Sequence, residues 1–395
     1  MDEGNVLTIA MVGTRGVPAA YGGFETAIEE VGRRLVERGH RVIVYTRGSE
    51  QSDRTYLGMQ IVHLPAMPVK QLETLSHTGL SAMHLVGHRK PDAAFVFNAA
   101  NSPFVPVLRM RGVPVGLHMD GLEWRRSKWG PRGRAYYRWA EQLGVRTADA
   151  LIADAPGIAD YYRHQFDVPT ELIRYGAPIL TSSPGRDLPG DDVSPGGFHV
   201  VVARFEPENH VLEIVEGYHR SSAAKPLLVV GSAPYSAEYT QRIEQIAASD
   251  PRIRLLGGVY DQELLDTLYA DAYTYAHGHS VGGTNPSLLR AMGAGTAVIA
   301  YDVDFNREVL GGRGWFFGSP EEAAAAFESA ESAPEQVSSL SLAVQERAQE
   351  RFRWDDVATA YEDLARRLSE GSTIHPSARS ARRRDEEWAP VGSAS

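Results

Sequence analysis

The sequence predicts an α/β protein built from two doubly wound parallel sheets. Short β-branched runs alternate with segments of helical period from residue 5 onward, and the same alternation restarts near residue 198. The stretch between the two series is rich in Pro, Gly, Ser and Asp, which is typical of a linker. A chain of 395 residues is long enough for two cores. The predicted divisions are a first domain (1–178), a linker (179–197), a second domain (198–352), a closing helix (353–370) and a disordered tail (371–395).

The composition excludes several classes of protein. There is no cysteine, so neither disulfides nor thiolate metal sites can form. The net charge of −10 argues against general nucleic-acid binding. No apolar run approaches the ~18 residues of a membrane span, and the acidic N-terminus is unlike a secretory signal. We expect a cytoplasmic protein that has no nucleic acid among its partners.

The chain opens with a β-loop-α unit. Asn5–Val12 reads as a strand, a long glycine loop follows, and a helix begins at Phe24 before the next strand, Arg41–Tyr45. The adjacent Gly22 and Gly23 lie at the carboxyl end of the first strand, where open α/β sheets bind ligands. The loop lacks GxGxxG spacing, which disfavours a dinucleotide. The alternative interpretation is a structural crossover loop.

Further strands of the first domain are predicted at Gln60–Leu64, Ala93–Phe97, Val113–Leu117 and Leu151–Ala153, with a helix at Gly157–Phe166. Asp120 follows the third of these strands and is placed to reach a ligand cleft. His118 precedes it and could share that role. A helix-capping Asp and a structural His are the alternatives.

Residues 122–139 combine three of the six tryptophans with five arginines and a lysine. Aromatic rings beside cations suit a membrane interface or an anionic headgroup. Stacking on nucleic-acid bases is a second option, which the acidic remainder of the chain disfavours. The third is a helix that packs its aromatic rings inward and leaves its arginines in water.

The second series of elements leads to the stretch Tyr273–Tyr301. Strands are predicted at Phe198–Ala203, Pro226–Val230 and Ile253–Leu256, with helices near Val211–Tyr218, Ala237–Ala248 and Gln262–Tyr269, and a closing helix at Trp354–Leu368. Within the stretch, Gly282 and Gly283 open a helix that Asn285 caps and Pro286 starts. The free amides of such a helix end suit a phosphate. An ordinary turn between strand and helix is the alternative.

Collinear motifs along residues 5–368 resemble glycosyltransferase family 4, in its bacterial rhamnosyltransferase-like branch. They are GTRGVPAAYGGFET, LPA with LETLSHT, DGLEWRRSKWG, LIADAPGIADYY, YGAP, VVARFEPEN and HGHSVGGTNPSLLRAMGAG. The resemblance implies a GT-B fold, in which two Rossmann-like domains face a central cleft and the C-terminal helix crosses back to the N-terminal domain. It also implies an acceptor site on the first domain, a nucleotide-sugar site on the second, and metal-independent transfer with retention of configuration.

The resemblance carries over to individual residues, with two departures. Arg204 matches the arginine of the donor-phosphate motif, while Asn209 stands where a lysine is usual. The paired-glutamate motif falls on Gly282 and Arg290, and an arginine cannot accept ribose hydroxyls. We expect Arg290 to pair with an acidic side chain or with the bound donor. A dTDP donor, with only the 3′-hydroxyl, tolerates the change better than a ribonucleotide.

The expected site residues are Asp120, Arg204 and His118 for catalysis; Gly22, Gly23, Asn209, Gly282, Gly283, Thr284, Asn285, Ser287 and Arg290 for the donor; and Tyr21, Glu123, Trp124 and Arg125 for the acceptor. The Asp302–Asp304 pair is not expected to bind metal. We expect transfer of L-rhamnose or another deoxysugar from a dTDP-sugar to a saccharide, lipid-linked or natural-product acceptor, with peripheral membrane contact. A nucleotide-sugar epimerase and a catalytically silent binding protein are the rival functions.

Overall fold

A computed structural model describes residues 6–19, 22–48, 54–69, 72–88, 90–119, 121–125, 129–190, 192–232 and 237–373. The chain divides into two compact units, residues 1–175 together with 354–395, and residues 176–353. The tail predicted to be disordered lies outside the described residues from 374 onward.

Each unit is built on one sheet. The strands of the first unit are β1 (Thr8–Val12), β2 (Arg41–Arg47), β3 (Thr55–Tyr56), β4 (Met59–Leu64), β5 (Ala93–Phe97), β6 (Val115–Met119), β7 (Ala150–Ala153) and β8 (Glu171–Leu172). Those of the second unit are β9 (His199–Val202), β10 (Leu227–Val230), β11 (Ile253–Gly257), β12 (Thr274–His277), β13 (Ala297–Tyr301) and β14 (Trp315–Phe317).

Helices connect these strands. In the first unit they are α1 (Gly23–Glu37), α2 (Glu73–Gly87), α3 (Val105–Met110), α4 (Pro131–Thr147), α5 (Pro156–Phe166) and the C-terminal α13 (Trp354–Ser369). In the second unit they are α6 (Val211–Arg220), α7 (Ala237–Ser249), α8 (Gln262–Ala270), α9 (Pro286–Gly293), α10 (Asp304–Leu310), α11 (Pro320–Ser332) and α12 (Pro334–Arg351). Short 3₁₀ turns lie at Ala99–Phe104, Glu123–Arg125 and Pro207–Asn209.

Both sheets have the doubly wound topology that the alternation of elements predicts. The first has the order β3-β4-β2-β1-β5-β6-β7-β8, in which only the β3–β4 pair is antiparallel. The second is parallel throughout, in the order β11-β10-β9-β12-β13-β14. The chain therefore reverses its direction across the sheet between β1 and β5 in the first unit and between β9 and β12 in the second. Ligands of open α/β sheets bind outside the strands' carboxyl ends at such switch points.

Side chains of β5 alternate between the two faces of the first sheet. Ala94 and Val96 join the core that includes Val105 and Leu108 of α3. Phe95 points the other way, with its ring centroid 4.9 Å from that of Tyr361 of α13. Helices α2, α3 and α4 therefore cover one face of the sheet, while α13 lies on the opposite face beside α1.

The closing helix belongs to the first unit, which confirms the predicted return of the C-terminus. The Arg34 guanidinium Nε lies 2.8 Å from Asp355 Oδ1. Glu362 of the same helix accepts from Arg38 at 3.0 Å, and its Oε1 lies 3.0 Å from Nε2 of His40. These bonds join α13 to α1 and to the residue that precedes β2.

Most predicted elements match the structure within two residues, but helices α2, α3, α10, α11 and α12 and strands β3, β8 and β14 were not predicted. Helix α2 illustrates one reason. Its sequence, ETLSHTGLSAMHLVG, has little apolar periodicity because its inner face carries buried polar residues, including His77, Thr78 and Ser81. The desolvation of His77 lowers its pKa to about 4, so its imidazole is neutral near pH 7. Hydrophobic periodicity does not predict a helix whose buried face is largely polar.

Candidate functional site

The switch point of the second unit lies between β9 and β12, so the loops that follow these two strands define the site. The first loop contains Arg204 and Asn209, and the second runs from Gly278 to the start of α9. The sequence-predicted residues Arg204, Asn209 and Gly282 to Arg290 are therefore brought to one edge of one sheet.

Asn209 ties the two loops together. Its Nδ2 donates to the Arg204 carbonyl at 2.8 Å, and its Oδ1 lies 2.8 Å from Nδ1 of His279. The Asn209 side chain is buried, and both of its polar ends are bonded within the protein. It shapes the backbone on which Arg204 is carried.

The loops also meet through their backbones. A Cβ on Gly278 would lie 2.0 Å from the Asn209 carbonyl oxygen, so only glycine allows this approach. The Ser280 N–H donates to the Glu208 carbonyl at 2.9 Å. His210 hydrogen-bonds the Gly278 carbonyl at 2.8 Å, and its ring stacks on that of Tyr301 at 3.7 Å. These contacts hold the two loops together within the protein itself.

Arg204 supplies a guanidinium at this edge. Its side chain is 38% exposed, and its Nη1 lies 3.2 Å from Oε1 of the buried Glu206. The carboxylate limits the positions of the guanidinium while leaving part of it accessible. An anchored, accessible arginine is suited to charge-assisted bonds with a phosphate.

Helix α9 begins as the sequence predicts. The Asn285 side chain accepts a bond from the Ser287 N–H at 2.9 Å, and Pro286 is the first helical residue. Gly282 has a φ of +117°, which favours glycine. No acidic residue lies in the first turn, so the amides and the positive end of the helix dipole are not neutralised by the helix's own side chains. Gly283 and Thr284 are buried in the loop that leads to the cap.

Arg290 forms an ion pair with Asp266 of α8, which confirms the expectation that it is paired. Only 19% of the Arg290 side chain and 18% of the Asp266 side chain are exposed. Next to this pair lies the buried Tyr269, whose desolvation raises the pKa of its hydroxyl to about 12. Position 290 thus lacks a hydrogen-bond acceptor of its own, but a carboxylate lies beside it.

Asp302 of the DxD sequence forms a two-point ion pair with Arg307, with an Nη2–Oδ2 distance of 2.7 Å. The guanidinium of Arg307 also lies over the Phe316 ring, 4.2 Å from its centroid. Within the described residues, no three His, Asp or Glu side chains form a group able to hold a metal ion. The charge of Asp302 is neutralised by an arginine.

The glycine loop after β1 forms the switch point of the first unit. Asn101 donates to the carbonyls of Gly13 and Phe97 at 3.1 and 2.8 Å, which joins this loop to the one after β5. Gly22 has a φ of +111° and precedes Gly23, the first residue of α1. The Glu25 carboxylate accepts from the Arg15 N–H at 3.1 Å and lies in the first turn of α1. The amino end of α1 therefore already carries an acidic group. Tyr21 lies outside the described residues.

Burial raises the pKa of Glu25 above its ordinary value, while hydrogen bonds from the backbone and the charges of Arg15 and Arg47 oppose this shift. The carboxylate is thus partly desolvated where an anionic ligand would have to approach. This arrangement disfavours a second negative charge at the same helix end.

His118 lies on β6 and is buried among aromatic rings. Its centroid is 5.0 Å from that of Phe24, 5.7 Å from that of Phe97 and 6.2 Å from that of Tyr175. Burial lowers its pKa to about 3, and its Nδ1 has no hydrogen-bond partner in the described part of the chain. It is a neutral imidazole near pH 7. Asp120, two residues further on, lies outside the described residues.

The three predicted acceptor residues after Asp120 form one 3₁₀ turn with different environments. Glu123 is buried and accepts from Trp129 Nε1 at 3.3 Å. Trp124 packs against the core and lies under the guanidinium of Arg138, 4.5 Å from its ring centroid. Arg125 is exposed. The first two therefore help to build the fold around this turn, and the exposed arginine lies over the Trp124 ring, 5.2 Å from its centroid.

Several residues near the sites were not predicted from the sequence, notably Glu25, Glu206, Asp266 and His279. Glu25, Asp266 and His279 act through contacts between separate segments, which no spacing pattern reveals, whereas Glu206 pairs with Arg204 within one loop. The HGH triplet was the available signal for His279, because it spans the carboxyl end of the buried strand β12. Its first histidine, His277, is buried, which lowers its pKa to about 3.

Comparisons with known proteins agree with this architecture. Residues 22–176 match the glycosyl transferase 4-like domain, and residues 199–331 match glycosyl transferases group 1. No curated protein sequence matches the chain.

Solved structures share the fold at low sequence identity. A sucrose-phosphate synthase from Thermosynechococcus elongatus has a TM-score of 0.79 at 21% identity, covering 93% of this chain and 100% of its own. Anabaena HepE in complex with UDP-glucose has a TM-score of 0.70 at 15% identity, with 91% and 100% covered. A trehalose 6-phosphate synthase from Burkholderia multivorans has a TM-score of 0.70 at 13% identity, with 93% and 98% covered.

The fold is thus the two-domain GT-B type. With the two domain matches, the chain is a nucleotide-sugar-dependent glycosyltransferase.

Proposed function

We propose that the protein transfers L-rhamnose, or another deoxysugar, from a dTDP-sugar to a hydroxyl group of an acceptor. The acceptor is a saccharide, a lipid-linked saccharide or a natural product, and the anomeric configuration of the sugar is retained. The observation that carries the donor side is that the loop with Arg204 and the loop that leads to the amino end of α9 follow neighbouring strands at the switch point of the second sheet. The deoxysugar, the dTDP carrier and retention come from the motif resemblance.

Departure of a nucleoside diphosphate builds negative charge on its phosphate oxygens. The Arg204 guanidinium, held by Glu206, and the positive end of the α9 dipole exist before the reaction begins. Stabilisation by preorganised groups of this kind is a large contribution to catalysis. It supports transfer without a metal ion, because the protein itself supplies the compensating charge.

The nucleoside is proposed to lie near Arg290 and Asp266. Two structural neighbours are described with UDP-glucose or UDP-2-fluoro glucose, so a nucleotide-sugar donor is the natural class here too. Arg290 offers only donors, which suit the carbonyl oxygens of thymine or uracil. The loss of an acceptor at position 290 weakens ribonucleotides more than dTDP, since dTDP lacks the 2′-hydroxyl.

On the acceptor side, Asp120 is proposed to accept the proton of the attacking hydroxyl. His118 is a poor base because its pKa is lowered to about 3 by burial, and it serves better as a neutral group beside the sugar. Tyr21 and Arg125 are proposed to contact the acceptor. A peripheral contact with the inner face of the plasma membrane would bring a lipid-linked acceptor within reach.

A nucleotide panel tests the proposal. We expect dTDP to raise the melting temperature more than UDP, GDP or ADP at equal concentration, because it is the nucleotide proposed to bind most tightly. A ligand at 100 times its Kd stabilises the folded protein by ~2.7 kcal/mol. A dTDP-rhamnose assay with saccharide acceptors, with and without EDTA, then measures transfer, metal dependence and the anomeric configuration of the product. Stronger stabilisation by another nucleotide would reject dTDP, and loss of activity in EDTA that Mg²⁺ restores would reject metal independence.

A second function is favoured by one observation, the Arg290–Asp266 pair in place of a single acceptor at position 290. A catalytically silent relative would bind a nucleotide or a partner without turnover. This function would be selected over transfer if nucleotides raise the melting temperature of the protein but no dTDP is released from dTDP-rhamnose with any acceptor mixture.

A further inference from the structure

The face of the first unit formed by α2, α3 and α4 exposes large apolar side chains. Met83 on α2 is 68% exposed, Met110 at the end of α3 is 82% exposed and Trp139 on α4 is 51% exposed. Leu80, one turn before Met83, is exposed as well. Because α3 contacts both α2 and α4, these residues lie on one continuous helical layer. We call this layer, with the arginines described next, the basic apolar face.

The same layer is positively charged within an acidic protein. Residues 101–150 hold nine Lys or Arg against four Asp or Glu, whereas residues 176–353 hold 13 against 24. Arg111, Arg132 and Arg134 are exposed on α4 or at the end of α3.

The two acidic residues in these helices do not offset that charge. Glu73 of α2 is ion-paired with Arg47 at 2.7 Å. Glu141 of α4 is buried and accepts bonds from Tyr161 and Tyr162 at 3.2 and 3.1 Å. The outer surface of the three helices therefore presents cations and apolar groups.

The second unit lacks a comparable surface in its described residues. Its exposed large apolar side chains are Tyr260 and Leu342, which lie on a loop after β11 and on α12. Exposed apolar groups next to cations are expected of a surface that meets both acyl chains and negative headgroups. Tryptophan in particular favours the depth of the headgroups.

No helix in the described ranges is long and apolar enough to cross a bilayer. Methionine and leucine side chains between the arginines also fit poorly with a nucleic acid, which would favour planar stacking groups there.

We propose that the basic apolar face docks onto a bilayer containing anionic phospholipid, with Met83, Met110 and Trp139 entering the headgroup region and the surrounding arginines binding phosphates. The inference deepens the peripheral contact proposed above: it extends the contact from residues 122–139, which include Arg132, Arg134 and Trp139, to α2 and α3, and it does not use the basic tail. It does not depend on which donor or acceptor the enzyme uses.

Vesicle sedimentation of the full chain tests the assignment. The vesicles contain phosphatidylcholine alone or phosphatidylcholine mixed with phosphatidylglycerol. We expect binding to the mixed vesicles only, and weaker binding at high salt because the charges are screened. The variant M83S/M110S/W139S and the variant R111E/R132E/R134E should each lower the binding constant by at least about tenfold.

Matched controls lie in the second unit. Y260S/L342S removes equally exposed apolar groups, and R313E/R351E/R353E reverses exposed arginines; both should bind vesicles like the wild type. Circular dichroism and nucleotide-induced thermal shift confirm that each variant is folded. If the wild type binds the mixed vesicles but no nucleotide raises its melting temperature, the membrane-binding surface is supported and the proposed donor is rejected.

Three results would overturn the inference. One is unchanged vesicle binding by both variants of the basic apolar face. Another is loss of binding only when Arg382, Arg383 and Arg384 are changed to Glu in the full chain. The third is a wild-type protein that is a dimer in analytical ultracentrifugation and an M83S/M110S/W139S variant that is a monomer, with no vesicle binding by either protein. That result would assign the face to contact with a second copy of the chain.

Discussion

The two units share a doubly wound topology with a switch point beside their first strand, but they differ in the charge around the helix end at each switch point. In the first unit, Glu25 lies in the first turn of α1 and binds the Arg15 amide. In the second unit, α9 has no acidic residue in its first turn, and Arg204 lies on the neighbouring loop. Equivalent topology produces two helix ends of the same polarity, and the side chains around them decide which one is available to an anion.

The comparison also shows what is common to both units. An asparagine amide joins the two loops of each switch point, Asn101 in the first unit and Asn209 in the second. The bracing is therefore common to both units, whereas the charge differs between them. Substitutions at matched positions can separate the two.

The largest effect is expected from Arg204→Ala. Loss of the guanidinium should weaken dTDP binding at least about tenfold, ~1.4 kcal/mol, and lower kcat by about 10²-fold or more, because the charge matters most as the phosphate leaves. Calorimetry and initial rates measure the two effects. Arg220→Ala, which removes an exposed arginine paired with Glu321, is the control. Equal dTDP affinity in wild type and Arg204→Ala would remove Arg204 from the site.

Next in size is the pair Asn209→Ala and Asn101→Ala. Each removes the bonds of a buried amide, so each should lower the free energy of unfolding by about 1–3 kcal/mol. Only Asn209→Ala should also weaken dTDP, because it releases the backbone that carries Arg204. Urea titrations and calorimetry on both variants provide the comparison. A matching loss of dTDP affinity in Asn101→Ala would show that the loops of both units hold the donor.

Glu25→Ala should have a smaller effect that is confined to stability. The Arg15 amide loses its acceptor, which costs about 1 kcal/mol or somewhat more. Because burial raises the pKa of Glu25 above its ordinary value, the contribution of this titration to stability is fully present below the ordinary pKa and is lost as the pH rises through the raised one. The variant should lose this part of the pH dependence. Thermal melts between pH 4 and 8, a range that spans its ordinary pKa, measure both changes. A change in dTDP affinity would support the predicted donor role of Gly22 and Gly23.

The smallest effect is expected from Arg290→Glu, which restores an acceptor beside the proposed nucleoside. The ratio of UDP to dTDP affinity should rise about fivefold, ~1 kcal/mol, since a carboxylate can bind ribose hydroxyls. Asp266→Asn is the control, because it breaks the ion pair without adding an acceptor carboxylate at position 290. An unchanged profile for both nucleotides would place Arg290 outside the nucleoside pocket.

Local features of the chain were largely predictable. The strand Ala93–Phe97, the cap at Asn285 and the closing helix follow from residue types within a few positions of each other. Helix α2 was not predictable in this way, because its buried stripe contains His77, Thr78 and Ser81, whose environment comes from distant strands and helices.

By itself, the sequence determined that the protein has two alternating α/β series, that a capped helix follows a glycine loop in the second, and that aromatic and basic residues concentrate at 122–139. These are properties of short segments, where propensity, capping and periodicity act between near neighbours. Only the tertiary structure decided that β9 lies beside β12 and that the Asn209 side chain hydrogen-bonds the two loops of that switch point. It also decided that Asp266 pairs with Arg290 and that α2, α3 and α4 form one exposed layer. Each of these depends on which distant segments become neighbours, and that choice is made by the packing of whole sheets and helices, not by any local pattern.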